Sequence, residues 1–268
     1  MIKIPKIGFG TWQIHGDEAV QATLAALKAG YRLIDTAKIY GNEREVGQAI
    51  KRSGVPRSEI LITTKLWNRN QGYGSALEAF DESLGRLGLD YIDLYLIHWP
   101  GHDREKRLES WKALEKLHSE KKARAIGVSN FTPEHLEELA EHSAASPSVN
   151  QIEFHPFIYD RQLPTLEYCK QHGVVVEAYS PLDRAQSMNH PLITAIAEQK
   201  DRTNAQVMLR WAIQHGTVPI PKSSNPERIK ENLEVFDLEL SKEEMQVLDG
   251  LGSGKGESAL PFWVKLIK

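Results

Sequence analysis

The sequence predicts an α/β protein of the (β/α)8 class, a TIM barrel formed as a single domain over residues 1–268. Three observations point there. Eight short apolar or β-branched runs alternate with longer segments of helical period from one end to the other. Several runs are too apolar for a half-exposed sheet, as parallel strands covered on both faces should be. And 268 residues suit eight strand–helix units with short loops.

The predicted strands are Ile7–Thr11, Arg32–Thr36, Ile60–Lys65, Ile92–His98, Ala125–Ser129, Val149–Glu153, Val174–Tyr179 and Val218–Pro221. Between them the helical spacing is explicit. Val20, Leu24 and Leu27 form one stripe, and Leu77, Phe80, Leu84 and Leu87 another. Gly30, Gly88, Gly173 and Gly216 follow helical patterns where a left-handed residue would end a helix. Thr132-Pro133 and Asn225-Pro226 read as N-cap plus first-turn proline, and Ser241 with Glu244 as a capping box. An open doubly wound sheet is the alternative. Against it, Gly8-Phe9-Gly10 lacks the third glycine of a dinucleotide-binding turn, and the first helix begins only near Asp17. No Pro/Gly/Ser-rich linker or repeat divides the chain. The charged stretches Asp103–Arg107 and Ser119–Arg124 are expected to be solvated.

Thirty-three Lys plus Arg against 36 Asp plus Glu leave a formal charge of -3, which offers no attraction to nucleic acid or an anionic membrane surface. The lone Cys169 can form neither an internal disulfide nor a Cys-based zinc site, and fits a reducing compartment. Met1–Gly10 has no apolar core with a cleavage site, and no window approaches the roughly 18–20 apolar residues of a membrane span. A soluble, cytoplasmic monomer acting on a small molecule is expected.

In a barrel, chemistry gathers where strands end at the C-terminal face. Asp35 closes the second run, Lys65 the third and His98 the fourth, while Tyr40 lies five residues after Asp35. Each alone has a structural explanation as a loop cap, packed ring, solvated amine or core histidine. Together they supply a proton-transfer network. A phenol of ordinary pKa about 10 is a poor acid near neutrality. A neighbouring ammonium should lower that pKa, and a carboxylate should hold the ammonium in place.

Other chemistries fit less well. There is no His-x-His pair, and the spacing of His98 and His102 is broken by Pro100 and Gly101, so no metal site is expected. Gly-x-Ser-x-Gly and P-loop signatures are absent, and Cys169 falls inside a predicted helix. Paired carboxylates of a glycoside hydrolase stay open as an alternative, since Glu153 and Glu177 both sit near strand ends.

Seven segments occur in order: Gly30-Tyr-Arg-Leu-Ile-Asp-Thr-Ala-Lys-Ile-Tyr-Gly-Asn-Glu43, Ile62-Thr-Thr-Lys-Leu-Trp67, Leu96-Ile-His-Trp-Pro100, Ile126-Gly-Val-Ser-Asn-Phe131, Asn150-Gln-Ile-Glu-Phe-His-Pro156, Ala178-Tyr-Ser-Pro-Leu182 and Ile220-Pro-Lys-Ser-Ser224. They resemble successive signatures of the aldo-keto reductases and cover nearly the whole chain. The compact length resembles the bacterial 2,5-diketo-D-gluconate reductase and methylglyoxal reductase branch.

The resemblance implies an NADPH-dependent carbonyl reductase whose catalytic tetrad is Asp35, Tyr40, Lys65 and His98. It implies that Ser129, Asn130 and Gln151 bind the nicotinamide carboxamide, that Tyr179 stacks on the ring, and that Ser180 and Leu182 line the pyrophosphate. Lys222, Ser223 and Arg228 match the 2′-phosphate pocket, and Glu231 and Asn232 the adenine contacts. Many relatives carry a small residue after Ser-Pro-Leu. Here Asp183 follows, an acid that beside a pyrophosphate should point to solvent.

Trp12, Trp67 and Trp99, just past the first, third and fourth strands, could wall an apolar substrate cup or be core. Phe262-Trp263 could cover the mouth or simply dock as a tail. A noncatalytic cofactor-sensing or structural protein on the same barrel is the rival from another class; the intact tetrad argues against it.

Overall fold

A computed structural model describes residues 2–252; Phe262-Trp263 lies outside the described residues. Eight parallel strands run in the order of the sequence: β1 Phe9–Gly10, β2 Leu33–Asp35, β3 Leu61–Leu66, β4 Ile92–Ile97, β5 Ala123–Ser129, β6 Val149–Glu153, β7 Val175–Tyr179 and β8 Val218–Pro219. Two main-chain bonds close the sheet on itself. Gly8 N donates to Pro219 O at 2.9 Å and Gly10 N to Pro221 O at 3.0 Å. The sheet is therefore the barrel the sequence predicts.

The outer ring holds α1 Gly16–Ala29, α2 Glu43–Arg52, α3 Tyr73–Leu87, α4 Arg104–Ser119, α5 Pro133–His142, α6 Tyr159–Gln171, α7 Pro191–Lys200, α8 Asn204–Gln214, α9 Pro226–Glu231 and α10 Lys242–Asp249. The expected punctuation is present. Gly30 and Gly88 end α1 and α3 in the left-handed conformation, and Gly173 and Gly216 adopt positive φ one residue past the caps of α6 and α8. Thr132 and Asn225 precede first-turn prolines, and Ser241 with Glu244 forms a capping box.

Side chains alternate across each strand, so one parity faces the barrel axis and the other the helices. Leu33, Leu61, Leu94, Leu96, Ala125, Val149, Val218 and Ile220 form the inner cluster, with Ile2 and Ile4 packed against it. Ile34, Ile62, Tyr95, Ile97, Ile126, Ile152 and Val176 belong to the larger layer beneath the helices. Gly127 shares the inner parity, and there nothing larger than a hydrogen fits. A Cβ there would lie 2.5 Å from Val149 O and 2.8 Å from Leu96 Cδ2.

The charged stretches are not uniformly solvated, which corrects the expectation. Arg107 is buried on the inward face of α4, paired with Glu138 Oε1 at 2.8 Å and donating to Pro100 O at 3.1 Å. Its position, one helical turn before the buried Ser110 and Trp111 and two before Leu114, places it on the same stripe. Ala123 is likewise buried, as the first residue of β5.

Candidate active site

Continuing the inner parity to the strand ends replaces apolar side chains by polar ones. Leu33 gives way to Asp35, Leu61 to Thr63 and Lys65, Leu96 to His98, Ala125 to Ser129, Val149 to Gln151 and Val175 to Glu177 and Tyr179. The candidate residues thus share one layer at the mouth of the barrel. Above it opens a cavity of about 850 Å3, on the scale of a ligand site.

Lys65 is fully buried, with Nζ 2.6 and 2.8 Å from the two Asp35 carboxylate oxygens, 3.0 Å from Thr36 O and 3.3 Å from Tyr40 Oη. The Tyr40 and His98 rings meet edge to face, their centroids 5.9 Å apart. Asp35, Tyr40 and His98 line the cavity, and Lys65 stands directly behind them. Tyr40 ends a single 3-10 turn, Lys38–Tyr40, which Gly41 closes at φ 70°. Asn42 pins that turn: buried, it donates to Thr11 O at 2.8 Å and Ile14 O at 2.9 Å and accepts from Thr36 Oγ1 at 2.7 Å. Sequence reasoning did not single out Asn42, because nothing in a pattern marks an asparagine that ties the loop after β2 to the loop after β1.

Charge and burial set the protonation states. Burial opposes the Lys65 ammonium, but Asp35 and Tyr40 outweigh it and hold the amine above its ordinary pKa. Burial raises the Tyr40 phenol; Lys65 opposes this without reversing it, and Asp35 adds to the rise. This corrects the expectation of a net lowering, which counted the neighbouring charge and not the lost water. His98 is held well below its usual range by burial and by the Lys65 charge, so its imidazole is neutral near pH 7.

The residues expected to hold a dinucleotide line the same cavity. Ser129 Oγ donates to Gln151 O at 2.8 Å; Asn130, at φ 64°, donates to His98 O at 3.0 Å and accepts from Tyr179 Oη at 2.8 Å. Gln151 Nε2 donates to Asp35 Oδ1 at 2.8 Å and Glu177 Oε2 at 2.9 Å, which directs its two N–H groups into the barrel and leaves Oε1 as its acceptor. Ser180, Leu182, Lys222, Ser223, Arg228, Glu231 and Asn232 also line it. Asn225 caps α9 by accepting from the amides of Glu227 and Arg228, so side chains, and not those amides, would meet an anion there. Trp12, Trp67 and Trp99 also line the cavity, and Trp67 and Tyr179 pack on Trp99.

Asp183 differs from expectation. It is buried, with Oδ1 3.7 Å from His155 Nε2, and so turns beneath the loop instead of toward solvent. The residue after it, Arg184, was not singled out and lines the cavity. Neither Glu153 nor Glu177 lines it. Burial beside Asp35 raises the Glu177 carboxyl to about 7. The flanking carboxylate pair a glycosidase needs is therefore not presented, and among the described residues no cluster of metal-binding side chains occurs.

Residues 6–253 match the family described as "Aldo/keto reductase family". The chain belongs to that family. It is 51% identical over 251 residues to glyoxal reductase of Bacillus subtilis, covering 93% of this chain and 90% of that one. An aldo-keto reductase from a deep-sea metagenome library of the Medee basin superposes with a TM-score of 0.91 at 46% identity, covering 95% of this chain and 93% of that one. A Bombyx mori aldo-keto reductase, solved in complex with NADP, gives 0.89 at 36% identity over 97% of this chain and 92% of that one. Among the described residues, no helix of this family member is long and apolar enough to cross a membrane.

Proposed function

We propose that this chain is an NADPH-dependent reductase of small aldehydes, α-dicarbonyls or keto-sugars, with Tyr40 as the general acid. One observation carries the reading. Lys65 Nζ bridges Asp35 and Tyr40 Oη at the floor of a cavity walled by Trp12, Trp67 and Trp99.

The lining suits a phosphorylated dinucleotide. Tyr179 offers an aromatic platform, Gln151 Oε1 and Asn130 offer polar contacts to a carboxamide, and Lys222 with Arg228 offers cationic partners for a 2′-phosphate. NADPH, when bound, supplies hydride to the carbonyl carbon. Tyr40 donates its proton to the carbonyl oxygen, and burial keeps the phenol protonated beforehand. As charge develops on Oη, the ammonium 3.3 Å away stabilises it, and Asp35 keeps that ammonium in place. The neutral His98 orients the carbonyl by one N–H donor. Every residue given a role comes from one chain, so the reading needs no partner subunit. The glyoxal reductase relative favours α-dicarbonyls within this range.

Purified protein should quench its tryptophan fluorescence on adding NADPH and should oxidise NADPH with methylglyoxal, 2,5-diketo-gluconate or an aromatic aldehyde. Absence of both quenching and turnover across that panel would remove the proposal. Tight NADPH binding without turnover would favour the noncatalytic rival.

A further inference from the structure

One fully buried carboxyl group stands beside the proposed reaction centre without a part in it. Glu177 continues the inner parity of Val175 and precedes Tyr179 by two residues on β7, yet it does not line the cavity. An apolar side chain would fill an interior position at less cost, because a buried carboxyl gives up its water. The cost is visible in the group itself. Burial beside Asp35 raises it to about 7, and its Oε1 has no hydrogen-bond partner.

What Glu177 has is one hydrogen bond. Its Oε2 accepts from Gln151 Nε2 at 2.9 Å, and the other N–H of that amide goes to Asp35 Oδ1 at 2.8 Å. Gln151 and Glu177 are registered neighbours on β6 and β7, whereas Asp35 reaches the amide from β2, four strands from β6 in either direction round the closed ring. The amide is held from the neighbouring strand and from across the barrel at once.

This matters because an amide has a donor end and an acceptor end of nearly the same shape. The main chain of Gln151 is already fixed, its carbonyl accepting from Ser129 Oγ at 2.8 Å and Asn130 N at 2.9 Å, so the side-chain torsions are the freedom left to remove. One acceptor would hold one N–H and let the group pivot about that bond. Two acceptors fix its plane, with Nε2 turned into the barrel and Oε1 left for the cavity that Gln151 lines. Asp35 is also committed to Lys65, at 2.6 and 2.8 Å, so the second anchor has to come from elsewhere.

We infer that Glu177 is a positioning residue for the cofactor: with Asp35 it locks the Gln151 amide so that Oε1 accepts from the N–H2 of the nicotinamide carboxamide. This rests on the NADPH reading above. Glu177 itself touches neither cofactor nor substrate. Its role depends on an acceptor oxygen and not on charge, since a protonated carboxyl still offers its carbonyl oxygen to Nε2. Asp35 and Lys65 are the charged groups that act on it, and Val218 is its registered neighbour on β8.

The test compares three ligands by calorimetry on the parent, Glu177→Leu and Glu177→Gln. They are NADPH, its 3-acetylpyridine analogue, in which a methyl group replaces the carboxamide N–H2, and 2′-phospho-ADP-ribose, which lacks the nicotinamide. The parent should favour NADPH over the analogue. Glu177→Leu should weaken NADPH about three- to tenfold, the range for one hydrogen bond, and leave the analogue nearly unchanged, so that the preference collapses. 2′-Phospho-ADP-ribose should bind as before, which also reports an intact groove. Glu177→Gln keeps an acceptor and should restore both the affinity and the preference. Glu177→Thr, too short to reach the amide, replaces the leucine variant if that protein does not fold. A role confined to packing would lower stability and leave the preference at its parent value; that result overturns the inference, as does an equal weakening of all three ligands. Loss of the preference in Glu177→Gln as well overturns it too, because charge and not the acceptor would then matter. A parent protein that binds neither NADPH nor 2′-phospho-ADP-ribose fails the cofactor reading itself, an outcome distinct from failure of Glu177.

Discussion

Tyr40 and Lys65 divide the work of one proton transfer, and their substitutions should fail differently. Tyr40→Phe keeps the ring and removes the proton, so kcat for carbonyl reduction should fall about 10^2- to 10^4-fold while the Kd for NADPH stays near the parent value. Stopped-flow hydride transfer with fluorescence titration checks both, and a parallel loss of affinity would contradict the role. Lys65→Met strands the buried Asp35 carboxylate, at a cost of about 3–5 kcal/mol in urea unfolding. Adding Asp35→Asn should restore much of that stability but none of the activity. Glu177 gives a pH signature. Its carboxyl stands at about 7 in the folded protein against an ordinary 4.5, so the native state keeps a proton that the unfolded chain has already released between those values. Stability should therefore fall as pH rises from 4.5 through 7, by roughly 3 kcal/mol in all. Glu177→Gln should flatten that slope, and identical pH profiles for both proteins would show that the carboxyl is ionised throughout.

At the scale of elements, the strands were legible because parity and apolar runs are local properties. The top polar layer was legible too, since Asp35, Lys65 and His98 continue the inner parity of Leu33, Leu61 and Leu96. The loops were less so. Asp183 and Arg184 have directions set by three left-handed residues without a glycine among them, and no periodicity reports such a turn. The rise in the Tyr40 pKa was also hidden, because desolvation depends on what the whole loop excludes and not on which residue stands next to which. Arg107 was the opposite case: the stripe through Ser110, Trp111 and Leu114 already held the signal, and its charge masked it. Helix packing offers a test of its own. Gly47 in α2 lies against the end of α3, where a Cβ would sit 2.1 Å from Leu87 O. Gly47→Ala should destabilise by about 1–3 kcal/mol by forcing the two helices apart, measured by chemical denaturation. No change in the midpoint would mean that the helix pair yields freely.

Across the whole molecule, the formal charge of -3 conceals the placing of Lys222 and Arg228 along one groove. Arg228→Ala and Lys222→Ala should each raise the Kd for NADPH far more than that for NADH, by about tenfold to a hundredfold for a charged contact. An equal effect on both dinucleotides would remove the 2′-phosphate assignment. Added salt should weaken NADPH binding more than NADH binding, because the extra phosphate is the part screened.

The two bonds from Gly8 and Gly10 to the end of β8 also give the barrel a seam. The joins on the far side of the ring are longer, with four registered residue pairs between β3 and β4 and five between β4 and β5. The proposed cofactor groove lies astride this short join, touching Gly10 and Trp12 on one side and Ile220 through Ser223 on the other. A ligand seated there would act as a rivet, fastening the beginning of the sheet to its last strand. Amide exchange at Gly8 and Gly10 should then slow on adding NADPH far more than exchange along β3 and β4, and the turnover cycle would carry a mechanical rhythm in which each cofactor release loosens the ring.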